Sequence, residues 1–383
     1  MIRRLRLPAA LAGALLLAAC GTITRPPPDA ALPAPAQWHA PLPHGGQLAD
    51  LSRWWQQLGD PLLAELIEAA QATSPTVASA ASRIEQARAT RAAAGAALLP
   101  SLDASASASR GNANPPAPLA TTLQGGLQAS WEIDVLGGRR AGVDAAQARL
   151  EGARAAWHEA RVSVAAETAN SYLALRTCQR QLEVAGNDAR SRAETARLNQ
   201  LSADAGFTAP ATAALSRASA AEAAARLKQQ AAQCELEIKT LVALTGAPEP
   251  ALRDKLRGAW SDPGALPLFA IQQVPAQVVA QRPDLFQAER EIVAASADVA
   301  AAQADRLPRV TLSGSIAAGA VRAAGSWNDA QTWSIGPIAV TLPLFDAGRG
   351  AANVDAARAR YDAALAQYRG RLLQAVREVE QAL

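Results

Sequence analysis

The chain contains two copies of one structural unit, and the second copy begins 208 residues after the first. Pro75 and Pro100 bracket an alanine-rich stretch of helical composition, and Pro283 and Pro308 bracket another, 25 residues apart in both cases. Each stretch is followed by an alternating segment, a loop and a second alternating segment. A repeat of this length far exceeds the period of solenoid repeats. It therefore indicates a duplicated domain unit of the order helix, strand, strand, helix.

A Gly-Arg turn opens a long helix at the end of each copy. The turn is Gly138-Arg139 in the first copy and Gly348-Arg349 in the second, 210 residues later. The offset differs slightly from that of the prolines, so one small insertion separates the copies.

The first 50 residues predict the compartment. Residues 1–6 are basic, and the apolar run 7–19 is too short to span a bilayer. The run ends in Leu-Ala-Ala before Cys20, which resembles a bacterial lipobox, so we expect a covalent lipid on Cys20 and no other cofactor. An ordinary signal peptide that contains a cysteine is the alternative. Gly21 after the cysteine favours the outer membrane, and the Pro-rich stretch 25–43 predicts an extended tether.

Composition excludes some classes of protein. The net charge of +3 on 383 residues is too small to indicate a nucleic-acid-binding protein. Hydrophobic residues make up 50% of the chain but aromatic residues only 4%, because alanine supplies the difference. Small side chains along helices favour close helix packing over a large globular core.

Periodicity and breakers predict four strands among helices. A short helix is expected over 61–71 and a second over 75–100, since Ser74-Pro75 is a good helix start. Period-two alternation predicts the strands listed here by range: 101–107, 123–133, 310–316 and 333–342. The smallest membrane barrels have about eight strands and open edges are not tolerated in lipid, so four strands imply that several chains share one barrel. A small soluble sheet is the alternative.

Two long helices form a predicted hairpin. One has no proline over 141–203, Gly206 breaks it, and the second runs over 210–244. Apolar residues recur at spacings of three and four in both, as in a coiled coil. Cys178 and Cys234 lie 28 residues on either side of Gly206, on this seam. A disulfide is expected in an oxidising compartment, with two buried thiols as the alternative.

Several segments, in this order and spacing, resemble the outer-membrane efflux channels of Gram-negative bacteria, the lipoprotein branch of the TolC and OprM type. They are Trp54-Trp55 with Asp60-Pro61-Leu62-Leu63, Gln281-Arg282-Pro283-Asp284-Leu285, Leu307-Pro308, and Leu342-Pro343-Leu344-Phe345-Asp346 with Gly348-Arg349. The resemblance covers nearly all of the mature chain. It implies a mainly helical fold with long antiparallel coiled-coil-like helices and four strands per chain. It also implies a homotrimer with a twelve-stranded barrel among outer-membrane lipid and a helical tunnel in the periplasm.

The resemblance further implies a periplasmic adaptor and an inner-membrane pump as partners. Asp204, Ala205, Gly206 and Phe207 stand where the family has a turn that the adaptor contacts and that closes the aperture. A plain hairpin turn is the alternative, and Asp204 fits a solvated tip charge better than an aperture lining. Trp131, Trp327 and Trp333 lie near predicted strand ends, where an interfacial girdle or ordinary packing would both fit.

An enzyme is not expected. His39 and His44 lie in the Pro-rich segment and His158 is alone on a helix, so no metal cluster is apparent, and no phosphate-binding or nucleophile motif is present. A periplasmic adaptor lipoprotein is the stronger competitor, because it also carries a long helical hairpin. Two copies of the helix–strand–strand–helix unit argue against it.

The predicted domains are a signal peptide (1–19), a tether (20–50), an N-terminal periplasmic helix (51–73), repeat 1 (74–246), a linker (247–282) and repeat 2 (283–383). Glu167 in repeat 1 is followed by a tip and a return helix, whereas its counterpart Glu378 is followed by five residues. We therefore expect the chain as written to leave an apolar seam uncovered and to assemble poorly, as a truncated channel would. Restored drug resistance with this chain alone would contradict that expectation.

Overall fold

The structure is a computed structural model, and it describes residues 23, 25–28, 55, 59–112, 119–258, 282–323 and 325–382. Cys20, the expected signal peptide, Trp54 and most of the tether lie outside the described residues. In chain order the elements are α1 (Pro61–Thr73), α2 (Pro75–Ala96), β1 (Ser101–Gly111), β2 (Ala120–Ile133), α3 (Gly138–Asp204), α4 (Pro210–Thr245), α5 (Glu249–Leu256), α6 (Pro283–Ala304), β3 (Arg309–Ala323), β4 (Ser326–Thr341) and α7 (Arg349–Ala382). Among the described helices, none combines the length and hydropathy that a membrane span requires.

The chain divides into two compact units that cut across the predicted repeats. Unit 1 consists of residues 1–36, 83–155 and 276–382, and unit 2 consists of residues 37–82, 156–275 and 383. Unit 1 therefore contains the strands of both repeats. Unit 2 contains α1, most of α3, and α4 and α5.

Unit 1 contains one antiparallel sheet of order β1-β2-β3-β4. The hairpin of each repeat contributes two strands, and β2 pairs with β3 from Ala120↔Ala323 to Ile133↔Val310, which joins the repeats. All four strands are longer than the alternation predicts. The strand ends farthest from the helices carry Ser, Thr, Asn, Asp and Arg, which obscure the alternation of apolar and polar residues. The backbone pairing nevertheless continues through these ends.

An aspartate caps the helix that follows each hairpin. The Asp134 carboxylate accepts hydrogen bonds from the backbone N–H groups of Arg139 (3.1 Å) and Arg140 (3.0 Å) at the start of α3. The Asp346 carboxylate accepts from Gly348 (3.0 Å) and Gly350 (2.7 Å) at the start of α7. These bonds satisfy N–H groups that the helix itself leaves free, and the negative charge suits a helix N-terminus. The duplication therefore extends to the caps, which the sequence analysis did not identify.

Small residues let the helices of unit 1 pack closely. Ala145 and Ala148 on α3 are buried together with Ala294 and Ala297 on α6. A Cβ atom added at Gly138 would lie only 2.5 Å from the Cβ atom of Ala304, so glycine is required where α3 begins beside the end of α6. A larger cluster joins α6 and α7 through Ile292, Ala295, Val299, Ala357, Tyr361 and Ala364.

The described part of the Pro-rich segment is held against these helices. The Ser296 hydroxyl on α6 donates to the backbone carbonyl of Pro26 (2.6 Å), and the Tyr361 hydroxyl on α7 donates to that of Pro27 (2.8 Å). Arg25 lies 3.4 Å from Asp144 on α3. Because Ser296 is fully buried, residues 25–27 are part of the packing of unit 1.

Unit 2 is built around the largest apolar cluster. Its buried side chains come from α1, α3, α4 and α5: Leu63, Leu66, Ile67, Ala165, Ala169, Tyr172, Leu175, Cys178, Cys234, Ile238, Leu241, Leu252 and Leu256. The predicted heptad seams supply Leu175 and Cys178 of α3 and Cys234, Ile238 and Leu241 of α4, whereas Ala165, Ala169 and Tyr172 precede the predicted seam on α3. Leu182, Ala185 and Ala189, at the end of the α3 seam, are half-buried.

Helix α5 lies in the segment predicted to be a linker. It is only eight residues long, too short for periodicity to reveal. Glu249 lies in its first turn and Arg253 and Lys255 in its last, an order that suits the helix dipole. Leu252 and Leu256 lie one turn apart and bury against the core of unit 2.

A buried polar network ties α1, α3 and α5 together. Asp60 caps α1 by accepting from the backbone N–H of Leu62 (2.9 Å), and it also accepts from the Tyr172 hydroxyl. Arg176, which is buried, donates to Tyr172 (3.0 Å) and to the carbonyl of Leu256 (3.0 Å). Burial, followed by the hydrogen bond to Asp60, raises the pKa of Tyr172 to about 12. The hydroxyl therefore stays protonated and remains a donor at physiological pH.

An ion pair at the start of α6 makes the stability of unit 1 depend on pH. Arg282 donates to Asp284 (2.9 Å) and to Glu378 on α7 (2.7 Å). Burial alone would raise the pKa of Asp284, but the hydrogen bond and charge of Arg282 outweigh it, and the pKa is lowered. The stabilisation is therefore complete above the unfolded-state pKa of about 4, and is lost as the pH falls from there through the lower folded-state pKa.

We expect Asp284→Asn to destabilise unit 1 by about 1 kcal/mol at pH 7, because it removes a charged hydrogen-bond acceptor from Arg282. The difference in Tm between wild type and variant should be smaller at pH 3, which lies below the unfolded-state pKa, and should shrink further as the pH falls through the lowered folded-state pKa. Circular dichroism melts at both pH values measure it. An equal difference at pH 7 and pH 3 would show that this carboxylate does not contribute as a charge.

Candidate functional site

The sheet of unit 1 has one polar face, formed by side chains that alternate along each strand. Residues directly opposite each other in antiparallel strands project from the same face. One row across the sheet consists of Asp103, Gln128, Ser315 and Ser334. The other members of this polar face are mostly Ser, Thr, Gln, Asn, Ala and Gly, with Val321 as an apolar exception and Glu132 as a charged one: Ser101, Ser105, Ser107, Ser109, Thr122, Gln124, Gly126, Ser130, Thr311, Ser313, Ala317, Gly319, Asn328, Ala330 and Thr332.

The opposite face is apolar over most of its length. Its central row consists of Ala104, Leu127, Ile316 and Trp333. Neighbouring rows add Leu102, Ala106, Ala108, Leu123, Ala129, Leu312, Ala318, Ala320, Ile335, Ile338 and Val340, with Asp329 and Gln331 on β4 as polar exceptions. Many of the large side chains are exposed, and Trp333 and Ile335 are 76% and 85% exposed. An exposed apolar face opposite an exposed polar face is the pattern of a barrel strand between lipid and water.

Both edges of the sheet are open. The order β1-β2-β3-β4 leaves one side of β1 and one side of β4 without a paired strand among the described residues. Both edge strands are exposed along nearly their whole length. A sheet of this kind offers its backbone N–H and C=O groups to further strands.

Three tryptophans project from the apolar face, at three different levels. Trp131, near the helical end, donates its indole N–H to the carbonyl of Leu98 (2.9 Å). Trp327 lies at the far end, and Arg322 stacks over its ring at 6.0 Å. The expectation that Trp333 lies near a strand end is wrong, because β4 begins at Ser326 and Trp333 is central in it. Of the three, Trp131 and Trp327 lie near strand ends, where an interfacial girdle or ordinary packing would both fit.

The predicted tip is a tight turn between α3 and α4 in unit 2. Gly206 has φ +78°, a conformation that glycine adopts without strain. The backbone N–H of Phe207 donates to the carbonyl of Ser202 (2.9 Å), and that of Gly206 to Ala203 (3.0 Å), which closes the end of α3. Asp204 is exposed and accepts from the Gln200 amide (2.8 Å). Ala205 is exposed, and the Phe207 side chain is 86% exposed.

Cys178 and Cys234 form a disulfide between α3 and α4. Their Cα atoms are 5.6 Å apart, and both side chains are buried. The Gln230 amide donates to Cys178 Sγ at 3.2 Å. Of the two alternatives left open by the sequence, a disulfide and two buried thiols, the structure contains the disulfide.

The described residues contain no group of three His, Cys, Asp or Glu side chains that could hold a metal ion. His158 packs edge-on against Trp157, with ring centroids 4.9 Å apart. The two remaining histidines and Cys20 lie outside the described residues. The features that can serve a function are therefore the two-faced sheet and the exposed tip.

Comparison with solved structures finds the same fold. The outer-membrane channel OprN superimposes with a TM-score of 0.84 at 29% identity, covering 94% of this chain and 82% of that chain. The crystal structure of the outer membrane protein VceC from Vibrio cholerae gives 0.73 at 29% identity, covering 86% and 79%. The predicted fold class, mainly helical with four strands per chain, is confirmed.

Sequence comparison agrees. The pyoverdine export outer membrane protein OpmQ of Pseudomonas aeruginosa is 30% identical over 97% of this chain and 80% of that protein. Outer membrane protein OprJ of the same species is 29% identical over 98% and 79%. Residues 66–247 and 274–383 match the profile of outer membrane efflux proteins. This chain therefore belongs to the outer membrane efflux protein family and is an outer-membrane efflux channel subunit.

Proposed function

We propose that three copies of this chain close their sheets into one twelve-stranded barrel, which is the outer-membrane part of a passive export conduit. The observation that carries the proposal is the sheet with an apolar face, a polar face and two open edges. In lipid both edges need partners, and β4 of one copy beside β1 of the next would continue the antiparallel order. Two copies would give about eight strands, whose interior is filled by side chains, whereas twelve leave room for water.

The polar face would line this conduit. Its serines, threonines and glutamines offer hydrogen bonds to water and to polar solutes, Asp103 adds a carboxylate, and Glu132, which pairs with Arg139, and Arg309 add charges at the helical end. Nothing in such a lining performs chemistry on a solute. The conduit would therefore be passive, with a periplasmic adaptor and an inner-membrane pump delivering a small molecule. OpmQ exports pyoverdine, which supports export of a small molecule here too.

The oligomeric state and conductance test the proposal together. The protein, expressed from its natural locus and extracted from outer membranes in mild detergent, should have three times the mass of one chain by light scattering. The same preparation should open ion-conducting pores in planar bilayers. A monomer or dimer without conductance would contradict the proposal.

The tip is proposed as the adaptor contact. Phe207 is the most exposed apolar side chain of the turn, and an exposed aromatic ring suits a docking knob. We expect Phe207→Asp to weaken adaptor binding about tenfold or more, because the ring would lose its apolar partner. Tm and oligomeric mass should not change, because 86% of the side chain is exposed and its burial contributes little to the fold.

Leu236→Asp is the matched control, since Leu236 is 60% exposed on α4 of the same unit but lies away from the turn. Binding of the purified adaptor is measured by surface plasmon resonance. Equal losses for both variants, or no loss for Phe207→Asp, would leave the tip as a plain hairpin turn.

A lipid on Cys20 is proposed as the membrane anchor. Residues 25–27 are held on α6 and α7 of unit 1, the unit that carries the sheet. Arg25 lies five positions after Cys20, a reach of at most about 18 Å. Mass spectrometry of the mature N-terminal peptide should find the lipid, and an unmodified cysteine would contradict the proposal.

A further inference from the structure

A row of cationic and aromatic side chains crosses the end of the apolar face that lies farthest from the helices. The row contains Arg110 on β1, Thr121 on β2, Arg322 on β3 and Trp327 on β4, and each residue is paired with the next across the sheet. We refer to these four residues as the arginine row. They stand next to the two hairpin turns, whereas the opposite strand ends connect to helices.

The two arginines of the row are available to a ligand. Both are exposed, and neither forms an ion pair with a carboxylate within the described residues. Asp329, in the next row, is the acidic side chain nearest to them on this face, so the two rows together keep a net charge of +1. The ring of Trp327, which Arg322 overlies, is 48% exposed.

The side chains of the row and its position on the sheet indicate which kind of ligand it would bind. Arginine binds phosphate through paired N–H groups. Neighbouring strands lie about 4.8 Å apart, so the Cα atoms of Arg110 and Arg322 are separated by about 10 Å, close enough for both side chains to reach one phosphorylated headgroup. Directly below the row, the same face continues on β1 to β3 as an apolar band through Ala108, Leu123 and Ala320, with Asp329 at its β4 end. Acyl chains can lie on this band while the phosphates of the same lipid contact the arginines. A free phosphate ion would contact the arginines alone and gain nothing from the apolar band.

We propose that the arginine row binds the phosphate groups of a phosphorylated glycolipid in the outer leaflet, with its acyl chains on the apolar face below. The inference rests on the proposed function, because that function places this face in lipid and this end of the strands at the outer surface. A trimer would carry three such sites around the barrel. Trp327 would lie at the level of the sugar, where its ring gives an apolar stacking surface beside a charged group.

The test is lipid binding by the purified full chain, measured by native mass spectrometry in detergent. The probes are diphosphoryl lipid A, the same glycolipid with both phosphates removed, and inorganic phosphate. The double variant Arg110→Gln with Arg322→Gln should bind diphosphoryl lipid A at least about tenfold more weakly than wild type, since two charged contacts are lost. The variant with lysine at both positions keeps the charge and should retain most of the affinity.

Arg197→Gln with Arg226→Gln is the control, because both arginines are exposed in helices of unit 2 and the charge change is the same. It should leave affinity within about twofold of wild type. Equal binding of the phosphorylated and dephosphorylated glycolipids by wild type would overturn the inference. So would an equal loss in the control, or inorganic phosphate binding as tightly as the lipid.

Bilayer conductance of the same preparations separates this inference from the proposed function. A trimer that conducts but does not discriminate between the lipids would overturn the lipid site alone. A preparation that neither trimerises nor conducts would overturn the channel proposal, and the lipid site with it.

Discussion

Replacing Ile316 with arginine should remove most of the assembled protein from the outer membrane. Ile316 is the central residue of β3, on the apolar face between Leu127 and Trp333. A charged side chain at the lipid midplane of a barrel costs about 2–4 kcal/mol per chain. Three copies would carry this cost together, which favours the unassembled chain strongly.

Ser315→Arg is the matched control, because Ser315 is the neighbouring residue on the polar face and lies across from Gln128 and Ser334. In a water-filled barrel this change should leave assembly intact and lower the preference for cations, since it adds positive charge in the row of Asp103. Membrane fractionation and immunoblotting measure the first effect, and reversal potentials in bilayers measure the second. If Ile316→Arg assembles and Ser315→Arg does not, the two faces are assigned the wrong way round.

Removing the disulfide should give the largest stability loss in unit 2. The bond closes a loop between residues 56 apart, so it restricts the unfolded chain and contributes about 2–4 kcal/mol. Cys178→Ala with Cys234→Ala avoids burying a new hydroxyl and should lower the Tm of this unit by several degrees. Scanning calorimetry with and without reductant measures the change.

Reductant should lower the Tm of the wild type by a similar amount and leave the variant unchanged. Alkylation of the denatured protein without reductant should label neither Cys178 nor Cys234. Labelling of both would mean that the cysteines are two buried thiols, the alternative that the sequence allowed.

Local sequence signals sufficed for the helical framework. Ser74-Pro75 marks the start of α2, and Gly206 marks the turn between α3 and α4, because proline and glycine act on the backbone at their own positions. The three-and-four spacing of apolar residues identified the seam that carries Leu175, Ile238 and Leu241. The equal distances of Cys178 and Cys234 from Gly206 also predicted that the two cysteines lie side by side in the helical hairpin. A long helix repeats its signal over many turns, so its interpretation is secure.

Short helices, and strands that are exposed on both faces, are harder to predict from the sequence. Helix α5 has two turns, too few for periodicity, and it depends on the core of unit 2 for its stability. β4 begins seven residues before its predicted start, because Asn328, Asp329 and Gln331 conceal the alternation. The caps at Asp134 and Asp346 lie between a strand and a helix, and a shared Asp before each Gly-Arg turn was the signal that could have revealed them.

The amino-acid sequence by itself determined the duplication, the helices, the turn at Gly206 and the resemblance to efflux channels, since each depends on residues close together in the chain or on their order. The tertiary structure decided which side chains share a face of the sheet. That outcome depends on the register between β2 and β3, strands almost 200 residues apart, and on the irregularity at Leu312 and Gly314. A shift of one residue in a strand exchanges its two faces, so no local pattern could assign Ile316 to the apolar side or bring Arg110 and Arg322 into one row.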